Sequence, residues 1–302
     1  MTHPPTALAV KEAALVAWLR ARGSVLVGFS GGVDSAYLAC LALEAVGPSR
    51  LLAVIGRSAS YPEAQWARAR AVADRFAIPV LELDTEELAD ARYAANPVNR
   101  CYFCKTELWS RLVPVARARG LAVVVDGTNA DDLGDHRPGA QAAREQGVCS
   151  PLADLGFTKA EIREASRARD IPTWDQPASP CLSSRLPYGT AVTPLRLRTV
   201  EAAEAALRAL GVEGNLRVRY FGDRARVELD PASMARWSVG EAAARVTEAV
   251  CAAGFETVEF APFRSGALNV LAGLIADAAA SPADRAHEQA RGAGVSFSAE
   301  VA

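Results

Sequence analysis

Lysine is scarce in this chain. Only Lys11, Lys105 and Lys159 stand among 33 basic residues, so arginine carries nearly all the positive charge. A lysine inside a motif is therefore a less casual choice than usual. Histidine is equally sparse: His3, His136 and His287 are the full set, and none lies at ligand spacing from a cysteine. That argues against a mixed cysteine–histidine zinc site. Excess charge of either sign is missing too. Lys+Arg is 33 and Asp+Glu is 35, so 33 − 35 gives −2. A chain so balanced has no global electrostatic reason to hold a long nucleic acid, although a local basic patch stays open. No uninterrupted apolar run is long enough to span a bilayer. The first 23 residues lack the apolar core and cleavage site of a secretory signal, so a cytoplasmic location is expected. No internal repeat is visible.

What is present is a chain of 302 residues, half of them apolar, enough for two domains or one large one. Its six cysteines are spread widely, and in a reducing compartment that favours thiol chemistry or metal binding over a disulfide framework. Strand and helix signals alternate early. Val25–Phe29, Leu51–Ile55, Pro79–Leu83 and Leu121–Val125 read as strands. Helical patterns follow at Ala36–Ala45, Pro62–Phe76 and Asn99–Leu112, and another runs from a capping box at Thr158 and Glu161 to about Ala168. Such alternation implies an α/β fold with a parallel sheet covered on both faces and ligands beyond the carboxyl ends of the strands. From Ile171 prolines punctuate a long loop. Then come a helix over Leu197–Leu210, a hairpin from Arg217–Tyr220 to Ala225–Leu229, a helix over Met234–Ala253 and a strand at Thr257–Phe260. The expected organisation is a parallel-sheet domain over 1–185, a linker over 186–193, a smaller α+β domain for substrate and oligomer contacts over 194–275, and a flexible tail over 276–302.

Two stretches lie at strand carboxyl ends and can face one pocket. The first is Ser30-Gly31-Gly32-Val33-Asp34-Ser35, between a strand and a helix. That geometry aims free backbone N–H groups and a helix N-terminus at one spot, which suits an anion. No Gly-Lys-Ser/Thr follows, so it is not the common P-loop. Hydroxyls of Ser30 and Ser35 can meet phosphate oxygens, and Asp34 can hold Mg²⁺. The stretch resembles the PP-loop of ATP pyrophosphatases, the adenine nucleotide alpha hydrolase-like fold, which split ATP between its α and β phosphates. The alternative is a turn of small residues before a buried helix. The second stretch is Asp126-Gly127-Thr128-Asn129-Ala130-Asp131-Asp132, from which Asp126 and Asn129 are candidates for the nucleotide site.

Cys101-Tyr102-Phe103-Cys104, followed by Lys105, offers two thiols one helical turn apart. The candidate third is Cys181, in Pro180-Cys181-Leu182-Ser183-Ser184-Arg185. Three cysteines without a partner histidine suit a cluster with one open iron better than structural zinc. The alternative for Cys101 and Cys104 is small buried core residues. Packing is the favoured role for Cys40 and Cys251, and Cys149 has no evident partner.

Taken together, the PP-loop, Asn96-Pro97 with Arg100 to Lys105, Asp126 to Asp132, and Pro180 to Arg185 resemble the ATP-dependent sulfur transferase family LarE, over about Lys11 to Ile275. The resemblance implies that ATP adenylates a carboxylate of pyridinium-3,5-biscarboxylic acid mononucleotide and that sulfur then replaces the activated oxygen, on the way to the nickel-pincer cofactor of lactate racemase. In some members a cysteine gives up its sulfur. In others three cysteines bind a [4Fe-4S] cluster, and Cys101, Cys104 and Cys181 match that form. Cys181 is then either nucleophile and donor or a cluster ligand. The resemblance also implies a homo-oligomer, and it puts the substrate phosphate on Arg217 and Arg219, which alternate along one strand and share a face. The alternative for that pair is a solvated strand face. Lys105, Ser184 and Arg185 are further substrate candidates. Neither nucleic acid nor membrane is an expected partner. A tRNA thiolase would carry an RNA-binding module or a strongly basic face, and neither is evident. An amidating enzyme like NAD or GMP synthetase leaves the three cysteines unexplained. A non-catalytic nucleotide-binding regulator is the alternative of a different class.

Overall fold

The computed structural model describes residues 6–134 and 138–273. All three histidines and the expected tail at 276–302 lie outside the described residues. The first helix, α1 (Ala7–Arg22), buries Leu15 and Leu19. Then β1 (Val25–Gly28), α2 (Val33–Val46), β2 (Leu51–Arg57), α3 (Glu63–Phe76) and β3 (Val80–Asp84) follow. A short α4 (Ala91–Ala94) and a long α5 (Arg100–Ala118) precede β4 (Val123–Val125). Three more helices close this part: α6 (Pro138–Glu145), α7 (Pro151–Asp154) and α8 (Lys159–Ala168). The four strands are parallel in the order β3-β2-β1-β4.

Side chains alternate across a strand, and here both faces are apolar. Val25, Val27, Leu51, Ala53 and Ile55 join the core built with α1, α2, α3 and α8. Leu26, Leu52, Val54 and Val124 join Trp109, Leu112 and Ala116 of α5 on the other face. The near-continuous apolar runs of β1 and β2 follow from this double burial. The capping box of α8 forms as expected: Glu161 N–H donates to Thr158 Oγ1, and Thr158 N–H to the Glu161 carboxylate.

The second sheet holds β5 (Leu216–Phe221), β6 (Arg224–Leu229) and β7 (Thr257–Pro262) in that order. The hairpin β5–β6 is antiparallel and turns at Gly222, whose φ of +71° suits glycine. Strand β7 runs parallel to β6. The helices α9 (Pro194–Ala209), α10 (Pro231–Trp237) and α11 (Gly240–Ala252) accompany this sheet. Leu216, Val218, Val227 and Leu229 pack with Leu197, Val200 and Leu207 of α9 and Val246 and Val250 of α11. The single helix expected over Met234–Ala253 is in fact two. It breaks at Ser238 and Val239, and Gly240 opens α11 with φ +56°. Both sheets belong to one compact unit that ends at Phe263. The described residues from Arg264 belong to a separate unit with a short helix, α12 (Ala267–Leu271). Among the described residues no helix is long and apolar enough to cross a membrane.

Candidate active site

Strands β1 and β4 are neighbours, yet the chain leaving β1 crosses to β2 on the far side. The carboxyl ends of β1 and β4 are therefore where such a sheet is expected to bind a ligand. Ser30–Ser35 leaves the end of β1. Gly32 is the N-cap of α2 and gives it no side-chain cap, so the first amides of the helix stay available to an anion. Gly31 has φ +67°, and a Cβ there would lie 2.5 Å from the Ala69 Cβ of α3. Ser35 Oγ accepts from Ser30 N–H and donates to Gly32 O, both at 3.2 Å, and lies 3.1 Å from Ser30 Oγ. From outside, Tyr61 OH and Gln65 Nε2 each donate to Ser30 O at 2.9 Å.

The loop after β4 presses on the same helix start. A Cβ at Gly127 would lie 2.9 Å from Ser35 N, so only glycine allows this approach. Asn129 donates to Asp34 Oδ1 at 3.2 Å and accepts from the N–H groups of Asp131 and Asp132. Asp126 braces its own loop, accepting from Thr128 N–H at 3.1 Å and Ser150 Oγ at 2.8 Å. Cys149 borders this loop, its carbonyl accepting from Asp126 N–H at 3.0 Å. Lys159, the first residue of α8, ion-pairs with Asp34 Oδ2, and its backbone N–H donates to Asp131. Lys159 was not singled out for the site from sequence. Its signals were the rarity of lysine and its place inside the capping box, right after Thr158. Lys11 serves structure instead, holding Glu161 and Gly156 O at 2.7 Å.

Cys101 and Cys104 occupy the first turns of α5, Cys101 exposed and Cys104 half-buried. The half-buried Cys181 belongs to a loop fastened over them by buried polar groups. Leu182 N–H donates to Ser60 O at 2.8 Å, and the Tyr93 and Ser183 hydroxyls bond at 2.7 Å. Arg100 Nη1 donates to Asn96 Oδ1 at 2.5 Å and to Ser183 O at 2.9 Å. Asn96 adopts φ +56°, which asparagine tolerates better than most residues, and donates to the carbonyls of Pro187 and Thr190. Cys104 feels the other two thiols electrostatically. Burial pushes the Cys104 thiol pKa up, the nearby Glu87 carboxylate adds to this, Lys105 opposes it, and Cys181 and Cys101 raise it further. Lys105 lies 5.7 Å above the Trp109 ring, and that ring abuts Gly28 at the end of β1. Cys40 is buried, its thiol pushed up to about 12 by burial, in keeping with packing. Cys251 departs from the packing expectation, because it is partly exposed.

Arg217 and Arg219 share a face, as alternation requires, and each is only 6% exposed. The solvated-face alternative is thereby excluded. Arg219 meets Glu228 through Nε at 3.0 Å and Nη2 at 2.8 Å, and its Nη1 reaches Ser184 O at 2.9 Å. Arg185 meets Glu204 through Nε and Nη2 at 2.9 Å, and its Nη1 holds Pro180 O and Cys181 O. Ser184 Oγ accepts from Arg185 at 3.2 Å. Arg217 donates to Leu216 O and Ala178 O, and among the described residues no carboxylate lies within ion-pair distance of it. Burial and the charge of Arg185 pull its pKa down to about 10. Buried arginine outnumbers carboxylate here, so this face suits a further anion.

Two metal groups can be weighed against these residues. Asp34 with neighbouring hydroxyls fits Mg²⁺, which commonly uses one carboxylate and the phosphates of its nucleotide. The three thiols fit an iron–sulfur cluster in donor chemistry. Yet among the described residues no three Cys, His, Asp or Glu side chains converge as a ready ligand set.

Known proteins share this arrangement of sequence. A family model described as NAD synthase matches residues 14–117, about a third of the chain. The chain is 34% identical over 264 residues to the pyridinium-3,5-bisthiocarboxylic acid mononucleotide synthase of Lactiplantibacillus plantarum, covering 87% of this chain and 95% of that protein. It is 41% identical over 246 residues to an uncharacterized protein of Synechocystis sp., covering 81% of this chain and 91% of the relative. An uncharacterized protein of Methanocaldococcus jannaschii is 29% identical over 210 residues, covering 68% and 77%.

Proposed function

The chain belongs to the family of the pyridinium-3,5-bisthiocarboxylic acid mononucleotide synthase, and from that premise we propose that it is an ATP-dependent sulfur transferase. It adenylates a carboxylate of pyridinium-3,5-biscarboxylic acid mononucleotide and converts it to a thiocarboxylate, supplying the nickel-pincer cofactor of lactate racemase. One observation carries the reading. Tyr61 fastens the phosphate loop at Ser30, and its neighbour Ser60 fastens the cysteine loop at Leu182, so two adjacent residues tie activation to sulfur chemistry.

A carboxylate resists attack because its charge is shared by both oxygens. In the proposed reaction one carboxylate oxygen attacks the α-phosphorus of ATP, and the bond to the β-phosphate oxygen breaks with release of pyrophosphate. Amides at the start of α2 and the hydroxyls of Ser30 and Ser35 stabilise the departing charge, Gly31 and Gly32 allow the close approach, and Asp34 holds Mg²⁺. Asn129 orients Asp34, and Asp126 shapes the loop. Lys159, freed from Asp34, meets phosphate charge. Lys105, Ser184, Arg185, Arg217 and Arg219 form the acceptor side. Arg217, buried without a carboxylate, supports assigning the nucleotide phosphate there.

Sulfur delivery involves Cys181. As donor, its thiolate attacks the acyl carbon and expels AMP. Loss of the Cα proton then breaks the Cβ–S bond, leaving sulfur on the product and dehydroalanine in the chain. We also propose that Cys101, Cys104 and Cys181 hold a [4Fe-4S] cluster, which would supply renewable inorganic sulfide. A cytoplasmic homo-oligomer that acts on a small mononucleotide, without nucleic acid, completes the reading.

Incubation with the biscarboxylate mononucleotide and Mg·ATP tests it. Substrate-dependent pyrophosphate release with oxygen replaced by sulfur in the product is expected, and its absence from iron-loaded, reduced protein overturns the reading. Anaerobic reconstitution addresses the cluster: equal, negligible iron in wild type and Cys101→Ala defeats it. Loss of H₂S from Cys181 by intact mass after one turnover marks the sacrificial route.

A further inference from the structure

Three buried arginines hold the loop around Cys181, and one of them is unlike the others. Arg185 and Arg219 each turn the Nε–Nη2 edge of the guanidinium to a carboxylate, Glu204 and Glu228, at 2.8–3.0 Å. Each uses Nη1 for loop carbonyls. Arg100 also uses Nη1 for a loop carbonyl, that of Ser183, and for Asn96 Oδ1. Among the described residues its Nε–Nη2 edge bonds to nothing, and no carboxylate lies within ion-pair distance. Yet Arg100 is only 4% exposed. A buried guanidinium without a counter-ion is costly. The Tyr188 ring lies 5.9 Å away, and Cys181, Cys101 and Tyr93 are within electrostatic reach.

We propose that Arg100 binds a carboxylate of the acceptor beside Cys181, through the Nε–Nη2 edge that Glu204 and Glu228 occupy on its two counterparts. That edge matches two carboxylate oxygens in one plane. The inference rests on the sulfur-transfer reading for the identity of the carboxylate; the unmatched cation does not. It gives Arg100 two tasks, anchoring the loop through Nη1 and holding the ligand through the opposite edge.

Alkylation kinetics on the full-length chain, before iron is supplied, test this. Iodoacetate and iodoacetamide attack the same thiolate, so the ratio of their rates cancels ionisation of the thiol and leaves the effect of the reagent's carboxylate. Read by peptide mass, the ratio at Cys181 is expected to exceed that at Cys251, on α11, by about tenfold. Arg100→Gln should erase the excess, and Arg100→Lys should retain part of it. Pyridine-3-carboxylate should slow iodoacetate at Cys181, and pyridine-3-carboxamide should not. Should the glutamine variant fail to fold, the wild-type ratio and the protection still decide. Equal ratios at Cys181 and Cys251 without protection by the carboxylate overturn the proposal. Because no ATP is present, this outcome is independent of pyrophosphate release, and either reading can fail alone.

Discussion

The phosphate loop is held chiefly by backbone geometry and neutral hydroxyl and amide donors, with one ion pair at Asp34, whereas the cysteine loop hangs from buried charged side chains. Ser30–Ser35 is set by a strand, a helix start and two glycine approaches, with Tyr61 and Gln65 donating to one carbonyl. Pro180–Arg185 has little regular structure of its own. It is positioned by Arg100, Arg185 and Arg219, two of them clamped by Glu204 and Glu228. A loop built from backbone tolerates changes around it. A loop suspended from buried ion pairs depends on each partner, because removing one leaves an uncompensated charge.

The sharpest cut between the halves is Cys181→Ala. It should abolish thiocarboxylate formation while substrate-dependent pyrophosphate release stays within a few-fold of wild type. Joint loss of both would break the comparison. Asp34→Asn acts on the other half and should lower pyrophosphate release on the order of 100-fold, measured by coupled assay. Glu204→Gln frees Arg185 from its bidentate partner and should cost about 3 kcal/mol in denaturant unfolding. Tyr93→Phe leaves Ser183 without its hydroxyl partner and should cost about 1 kcal/mol by the same measurement.

The smallest effect concerns pH. The Glu161 carboxyl is held below the usual carboxylate range, first by Lys11 and then by the Thr158 N–H. A depressed folded value means its stabilisation is present above the unfolded value, near 4.3, and is lost as pH falls through the folded one. The stability gap between wild type and Glu161→Gln should stay flat from about pH 7 to 5 and close below about pH 4.

The phosphate half was legible because its cause is local. Strand, glycines and helix start adjoin in sequence, and the apolar runs at Val25 and Leu51 announce the parallel sheet. The capping box at Thr158 was legible for the same reason. The cysteine half was legible only as a set of residue types. Nothing local tells that Arg185 and Arg219 face carboxylates 19 and nine residues away, or that Asn96 gathers carbonyls from beyond Leu186. Pairings at long range are decided by tertiary packing, and a motif lists its members without saying which of them touch. Lys159 was hidden likewise, since Asp34 lies 125 residues from it.

That lysine changes what it means for a cation to arrive. The carboxylate of Asp34 is already matched by an ammonium, so any ion that takes its place enters by exchange, not by addition. The displaced ammonium stays tethered to α8, beside a helix start suited to an anion. On the proposed reading, entry of metal and entry of nucleotide become a single trade of charges, each partner making room for the other.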